Sequence, residues 1–294
     1  VAFWRNGPRL WDLWRRAERA YAASASAPLC GLCLVFVFVS TLTSAMVALS
    51  PEIAFDPVSF HFVYSRQWAL QHGLAANPRF PYSYFPQNVE ILYTLSFLLD
   101  GQALAKVLNY AFFPLAALTL VLLGRRWVST AGGLVGAALF VTTPFISWTG
   151  SVAKNDLALA LYLLLALHAV LRWIEGKRFG WLAAATLFLG FGFGVKHVAV
   201  LGAVPLGALV VGHWRGSRLG LRRLAVLAVI FLGCLYWHGR TWALAGHPLY
   251  PEFGLVAGAA RRIGRPVKWT CERQESFLSD YQGRDLAVHA ELAL

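Results

Sequence analysis

The chain has 294 residues, 58% of them hydrophobic and only 14% charged, with a mean hydropathy of +0.56. A soluble domain carries nearer 25% charged residues, so this composition excludes an ordinary soluble enzyme and points to a polytopic membrane protein. The formal net charge of +12 would suggest nucleic acid in a soluble chain; here it is tested first against the arginine and lysine bias of cytoplasmic loops.

Residues 1–27 set Arg5, Arg9, Arg15, Arg16 and Arg19 among Trp4, Trp11, Trp14 and Tyr21. That pattern predicts a basic helix lying at the membrane surface. A first span follows at 28–49, and its Cys30 and Cys33 read as small packing residues. Residues 50–103 are more polar, carry the proline-punctuated PRFPYSYFP, and read as a large external loop. Within it, Asp56-Pro57 predicts a helix start, with a cap residue before a first-turn proline, running to about residue 72. A second amphipathic helix is expected over 87–99.

Further spans are expected at 104–123, 131–148, 155–173, 179–195, 198–212 and 224–243, about seven in all. The apolar run 179–212 has 34 residues, about 51 Å as one helix, against a hydrocarbon core of about 30 Å. Two helices with a break near Lys196 fit that length. Gly190, Gly192 and Gly194 precede the break. A lysine at mid-bilayer costs roughly 2.5–3.5 kcal/mol, so Lys196 is expected at a membrane edge. Residues 28–253 therefore form the transmembrane domain, and 254–294 a polar tail that reads as a truncated or altered end. The fold class is all-α: a polytopic membrane helix bundle with a large external loop.

Basic residues divide unequally between the two sides of a seven-span chain. Fourteen fall on the side of the N-terminus and six opposite, before the tail, which predicts a cytoplasmic N-terminus. Glu52, Asp56, Glu90, Asp100, Asp156 and Glu252 fall on the opposite, external side. With them gather His61, Lys106, Asn109, Lys154, Asn155, Lys196, His197, His238 and Arg240. Polar groups near membrane depth are expensive and usually face a cavity. Individual snorkelling of these side chains is the plainer alternative. As a set, they point to one polar pocket on the external face.

Lys196 and Arg240 at span ends suit a phosphate or diphosphate at the membrane surface. A lipid-linked phosphate is the natural ligand there. No GxSxG, HExxH or P-loop occurs, and the eight histidines are scattered. No cofactor is expected and no metal set is indicated, although a metal on His61 stays open. His61 lies five residues after Asp56, so on an α-helix the two need not share a face.

The stretch ALSPEIAFDPVSFHFVYSRQWALQHG and then PYSYFPQNVEILYTLSFLLDGQALAKVLNY resembles the first external loop of GT-C fold membrane glycosyltransferases. The resemblance is nearest to the bacterial group related to protein O-mannosyltransferases and the aminoarabinose transferase. VAKNDLALALY, GFGFGVKHVAV and HGRTWALAGHPLYP resemble, in order, that group's Lys-x-Asp segment, its lysine-containing break and its arginine segment. His247 stands where Asn is usual. The resemblance covers about residues 30–253.

It implies transfer of a sugar from a polyprenyl-phosphate donor to a lipid, glycan or protein acceptor at the extracytoplasmic face, most simply of a bacterial inner membrane. Asp56 would be the catalytic base. Lys196 and Arg240 would contact the donor phosphate, and His61, Glu90, Lys154, Asp156 and His197 would line the pocket. Inversion at the sugar is expected from direct displacement. Two other readings stay open. One is a transporter or flippase of a lipid-linked anionic substrate, because charged breaks in helices are also a transporter feature. The other is an inactive fragment, because family members usually continue into further spans.

Overall fold

The computed structural model describes residues 15, 27–76, 81–99, 101–215, 217 and 219–250. Apart from Arg15 and Ala27, the expected interfacial helix at 1–27 lies outside the described residues, as do the polar tail at 254–294, Asp100 and Glu252.

All regular structure among the described residues is helical. In chain order the helices are α1 (Ala27–Ala48), α2 (Phe62–Gln71), α3 (Asn88–Leu99), α4 (Gln102–Trp127), α5 (Thr130–Thr142) and α6 (Pro144–Ser151). They continue as α7 (Asp156–Gly176), α8 (Phe179–Phe193), α9 (Val200–Gly212), α10 (Leu221–Cys234) and α11 (Tyr236–Ala245).

Every segment expected to span is helical, but not every one is a single straight rod. α1, α4 and α7 are each long and apolar enough to cross a membrane. α5 and α6 pass that test only as a pair bent by 70°. Pro144 opens α6 without an amide proton to give, and it pushes the preceding residue out of the helical region. Thr143 accordingly sits at ψ 118. α10 and α11 form a second broken pair. α8 and α9 are 15 and 13 residues long, short of the roughly 20 residues of a full span. Among the described residues, three to five spans thus meet the length test, against about seven expected.

Lipid offers no hydrophobic drive to bring helices together, so small residues that let backbones approach do that work. Ala116, Ala117 and Ala137 at the α4–α5 contact are almost fully buried, as are Ala158, Ala166 and Ala169 on α7. Where α4 crosses α5, a Cβ on Gly133 would stand 2.7 Å from the carbonyl oxygen of Val121. α10 buries no residue and faces outward with Leu221, Val229 and Leu232.

The described residues divide between two compact units. The larger runs to Leu74 and resumes over Pro86–Trp237. The smaller joins Ala75–Phe85 to the chain from His238.

Candidate active site

Residues 152–156, Val-Ala-Lys-Asn-Asp, connect α6 to α7 in the larger unit. This short link receives contacts from four other segments. From the loop after α1, Glu52 Oε2 accepts the Ala153 amide at 2.8 Å, and the Asp56 carboxylate pairs with the Lys154 ammonium. From α3, Glu90 Oε1 accepts Asn155 Nδ2 at 3.1 Å. From α4, Asn109 Nδ2 donates to the Val152 carbonyl at 2.5 Å. From the break between α8 and α9, Lys196 Nζ lies 2.5 Å from Asp156 Oδ1.

Three consecutive side chains, Lys154, Asn155 and Asp156, therefore reach three different partners. The tight turn makes this geometry available: the Lys154 amide bonds back to Val152 O at 2.8 Å, and Asn155 leaves the helical region at φ −90, ψ 2. Asn155 stands at the N-cap of α7 but makes no side-chain cap bond. Its amide goes to Glu90 instead.

Asp56 does not act as the expected helix cap either. It has helical φ and ψ (−60, −48), and its carboxylate makes no cap hydrogen bond. After it, Pro57–His61 forms a π turn, with the Phe62 amide bonding to Pro57 O. A π turn has a wider i→i+5 repeat and occurs often at functional sites. The 100° step assumed for an α-helix does not hold across it. Asp56 pairs with Lys154, while His61 Nδ1 lies 2.6 Å from Glu90 Oε1, the oxygen that Asn155, next to Lys154, also bonds.

Burial separates these pairs by role. The side chains of His61 and Glu90 are only 5% and 3% exposed, whereas those of Lys196 and Asp156 are 35% and 37% exposed. A buried pair holds structure, because breaking it strands a charge. A half-exposed pair contributes only about 0–1 kcal/mol, so an anionic ligand can replace one partner at little cost. Glu90 Oε2 and Asn155 Oδ1 are buried with no hydrogen-bond partner.

Lys196 sits where the length argument placed it. α8 ends at Phe193 with Gly194 as its C-cap, and Lys196 is extended at φ −151, ψ 144 before the 3-10 turn His197–Ala199. Gly194 is required by close approach: the Asn88 amide donates to its carbonyl at 2.8 Å, and a Cβ there would collide with the Asn88 side chain. Asn88 Oδ1 also accepts Trp237 Nε1 at 2.7 Å, and Trp237 stacks on Trp68 with centroids 5.8 Å apart.

Other residues of the expected pocket have different duties. Lys106 Nζ bonds the carbonyls of Val47 and Ser50 at 3.1 and 2.8 Å, closing the C-terminal end of α1, where carbonyls lack helical partners. Arg240 belongs to the smaller unit, where its guanidinium donates to Ser83 O at 3.1 Å. Beside it Thr241 Oγ1 donates to Tyr84 O at 2.6 Å, and the Tyr84 and Tyr250 rings meet edge to face. Burial pushes both phenols above their ordinary range.

A family profile described as dolichyl-phosphate-mannose-protein mannosyltransferase matches residues 91–237, half of the 294-residue chain. The chain belongs to this mannosyltransferase family. The matched stretch includes Lys154, Asn155, Asp156 and Lys196. Asp56 and Glu90, which pair with Lys154 and Asn155 of that stretch, and His61, which pairs with Glu90, come from before it. No curated protein and no solved structure matches the chain significantly. As a member of this family, the protein is an integral membrane glycosyltransferase by class, in keeping with its apolar helices.

Sequence reasoning missed three supports of this candidate site. Glu52 was seen only as one more external acid. It is buried, and its other oxygen accepts the amides of Ile53 and Ala54 at 3.0 and 2.9 Å. The Ser-Pro-Glu turn directly after a span was the available signal. Tyr93 donates to Asn109 Oδ1 at 2.8 Å. Burial, followed by nearby Glu90, pushes its phenol well above the ordinary range, so it stays a neutral donor. Asn155 was seen as a polar residue but not as the bridge to Glu90. Among the described residues, no group of three or more His, Cys, Asp or Glu is placed to hold a metal ion.

Proposed function

We propose that the protein transfers a sugar from a polyprenyl-phosphate donor to an acceptor at the extracytoplasmic face of a bacterial inner membrane, with its N-terminus cytoplasmic. Within the family it resembles the bacterial group related to protein O-mannosyltransferases and the aminoarabinose transferase. The observation that supports this most is the 152–156 link. It carries, on neighbouring residues, the partner of a carboxylate and the partner of a cation. Asp56 is the base, and Lys196 is the donor-phosphate contact. Arg240 is a second phosphate contact, proposed from the resemblance of its HGRTW segment. His61, Glu90 and His197 support the pocket around them.

The reaction needs few parts. The acceptor oxygen attacks the anomeric carbon while its proton passes to the Asp56 carboxylate. The bond from that carbon to the phosphate oxygen breaks, and the lipid phosphate leaves as a stable anion. A glycosidase needs a second, protonated carboxyl for its alkoxide leaving group. Here a cation can stabilise the departing charge without giving a proton. Attack opposite the leaving group inverts the anomeric centre. Lys154 holds the Asp56 carboxylate in place. Asp156 holds Lys196 until a phosphate takes it.

The test is to purify the membrane-bound chain, identify any co-purifying polyprenyl phosphate, and measure sugar release from a polyprenyl-phosphate sugar. Donor carry-over and turnover that both survive Lys196→Ala and Asp56→Asn would overturn the assignment.

A further inference from the structure

The 152–156 link stands at the start of α7, and a second cluster of charge stands at its other end. Arg126 lies in the last turn of α4, and Arg172 and Glu175 lie near the C-terminus of α7. Lys177 Nζ donates to His213 O at 2.7 Å, and the Arg223 guanidinium lies over the Phe179 ring. The ends of α4, α7 and α9 and the starts of α8 and α10 therefore adjoin. In the connections 124–130, 172–179 and 213–223, nine arginines and lysines stand against a single acid, Glu175.

That one carboxylate serves two guanidiniums. Arg126 Nε and Nη2 reach Glu175 Oε2 at 3.1 and 2.7 Å, and Arg172 Nη1 reaches the same oxygen at 3.2 Å. The three side chains keep a net positive charge and stay accessible: Arg126 is 46%, Arg172 28% and Glu175 33% exposed. The Arg172 guanidinium also lies over the Trp181 ring, 5.1 Å from its centroid. Stacking of that kind fixes the guanidinium plane and leaves its edge to donate. Trp127 and Trp173, at the ends of the same two helices, keep buried indole N–H groups without an acceptor. Donors exceed acceptors here, which suits a ligand made of acceptor oxygens, and the guanidinium fork matches phosphate.

An apolar stripe runs from the cluster into the span. Leu122, Leu118 and Leu115 precede Arg126 at helical spacing on one face of α4 and are 46%, 52% and 47% exposed. A water-soluble oxyanion gains nothing from this stripe, whereas an acyl chain does.

We propose that Arg126 and Arg172 bind the headgroup phosphate of an anionic phospholipid, whose acyl chain lies along Leu122, Leu118 and Leu115. The lipid ties the end of α4 to the end of α7. The 21 residues of α7, about 30 Å of helix, separate this site from the Lys196–Asp156 pair, so it stands apart from the donor-phosphate contact and does not depend on the transferase reading. The bias of basic residues predicts a cytoplasmic position for this end, and anionic headgroups give that leaflet its negative surface.

The test uses the full chain in detergent micelles, titrated with dioleoyl-phosphatidylglycerol and read by native mass spectrometry. Arg126→Gln with Arg172→Gln removes both charges and keeps hydrogen-bonding side chains. Partly exposed ion pairs contribute little to stability, so this variant should fold. Its affinity for the lipid should fall by about tenfold or more, the loss of charge-assisted hydrogen bonds. Arg215→Gln with Arg222→Gln removes the same charge from exposed positions at the same end and should leave the affinity nearly unchanged. Equal losses in the two variants would mean diffuse attraction to a basic surface and overturn the site. So would equal affinity of parent and site variant, or parent affinity for phosphatidylcholine as high as for phosphatidylglycerol. Displacement of the lipid by millimolar inorganic phosphate assigns the cluster to a soluble oxyanion and overturns the lipid assignment. A second measurement needs no variant. Phosphatidylglycerol with a diazirine in its acyl chain should label residues 115–122 above the level of a matched phosphatidylcholine probe, and equal labelling also overturns the proposal.

Discussion

Lys196 Nζ lies 2.5 Å from Asp156 Oδ1, joining the break between α8 and α9 to the first residue of α7, and both side chains remain about a third exposed. The lysine is thus neutralised in the resting protein yet reachable. Its position in an otherwise apolar run follows: the helix ends before it, and a carboxylate meets it. Asp156 and a ligand phosphate compete for the same ammonium.

Lys196→Ala should weaken undecaprenyl phosphate binding by about 10–100-fold, the range of a hydrogen bond to a charged group. Asp156→Asn removes the competitor and should not weaken it. Lys177→Ala is the control, because Lys177 Nζ is engaged at the other end of α7 with His213 O at 2.7 Å. Titration in nanodiscs reads all three. Equal losses for Lys196 and Lys177 would leave Lys196 as a structural ion-pair partner.

Asp56→Asn should lower turnover by roughly 10²–10⁴-fold with donor binding retained. Because Asp56 makes no cap hydrogen bond, loss of a cap cannot account for such an effect. Lys154→Ala should also reduce turnover, by releasing the carboxylate. Near-normal turnover in the Asn variant would move the base to another carboxylate.

Glu52→Ala takes the acceptor from three amides, those of Ile53, Ala54 and Ala153. Only the Ala153 amide is buried, while those of Ile53 and Ala54 can turn to water; an unsatisfied buried donor costs about 1–3 kcal/mol, and a loss in that range is expected. The thermal unfolding midpoint in detergent should drop accordingly. An unshifted midpoint would mean that the 152–156 link holds itself in place.

Gly194→Ala drives a methyl into the Asn88 side chain, whereas Gly136→Ala adds one where nothing lies within 4 Å. Gly194 has φ −72, so steric overlap alone decides the outcome. The first change should destabilise by about 1–3 kcal/mol. The second should be neutral or slightly favourable, as alanine is in a helix. Matched unfolding curves for the two variants would contradict the close approach at the break.

Orientation can be read with single cysteines at the exposed positions Gln71 and Gly220, in a background without native cysteines. An impermeant thiol reagent on intact cells should label position 71 and not 220. Labelling of 220 alone would invert the chain in the membrane and turn the 152–156 link toward the cytoplasm.

The sequence by itself determined that this chain is a helical membrane protein, which stretches of it are apolar helix, and that Lys196 stands at a break, but not that the segments expected at 131–148 and 224–243 are each bent pairs. Those properties depend on local chemistry. A run of apolar residues must satisfy its backbone within a helix, and 34 such residues exceed one bilayer crossing. The sequence also singled out Asp56, Glu90, Lys154, Asp156 and Lys196, because charges are scarce in such a chain and stand out. Only the tertiary structure decided who pairs with whom. Asp56 meets Lys154 and Lys196 meets Asp156, across 40 residues in the second case, because helix packing sets which loops adjoin. It also turned His61 toward Glu90 through a π turn that no residue pattern announced. Buried Glu52 and the carboxylate of Glu175 shared by Arg126 and Arg172 were illegible for the same reason. Their meaning depends on neighbours brought together by the fold, and arginines on two distant helices look like ordinary loop charges until the helices meet.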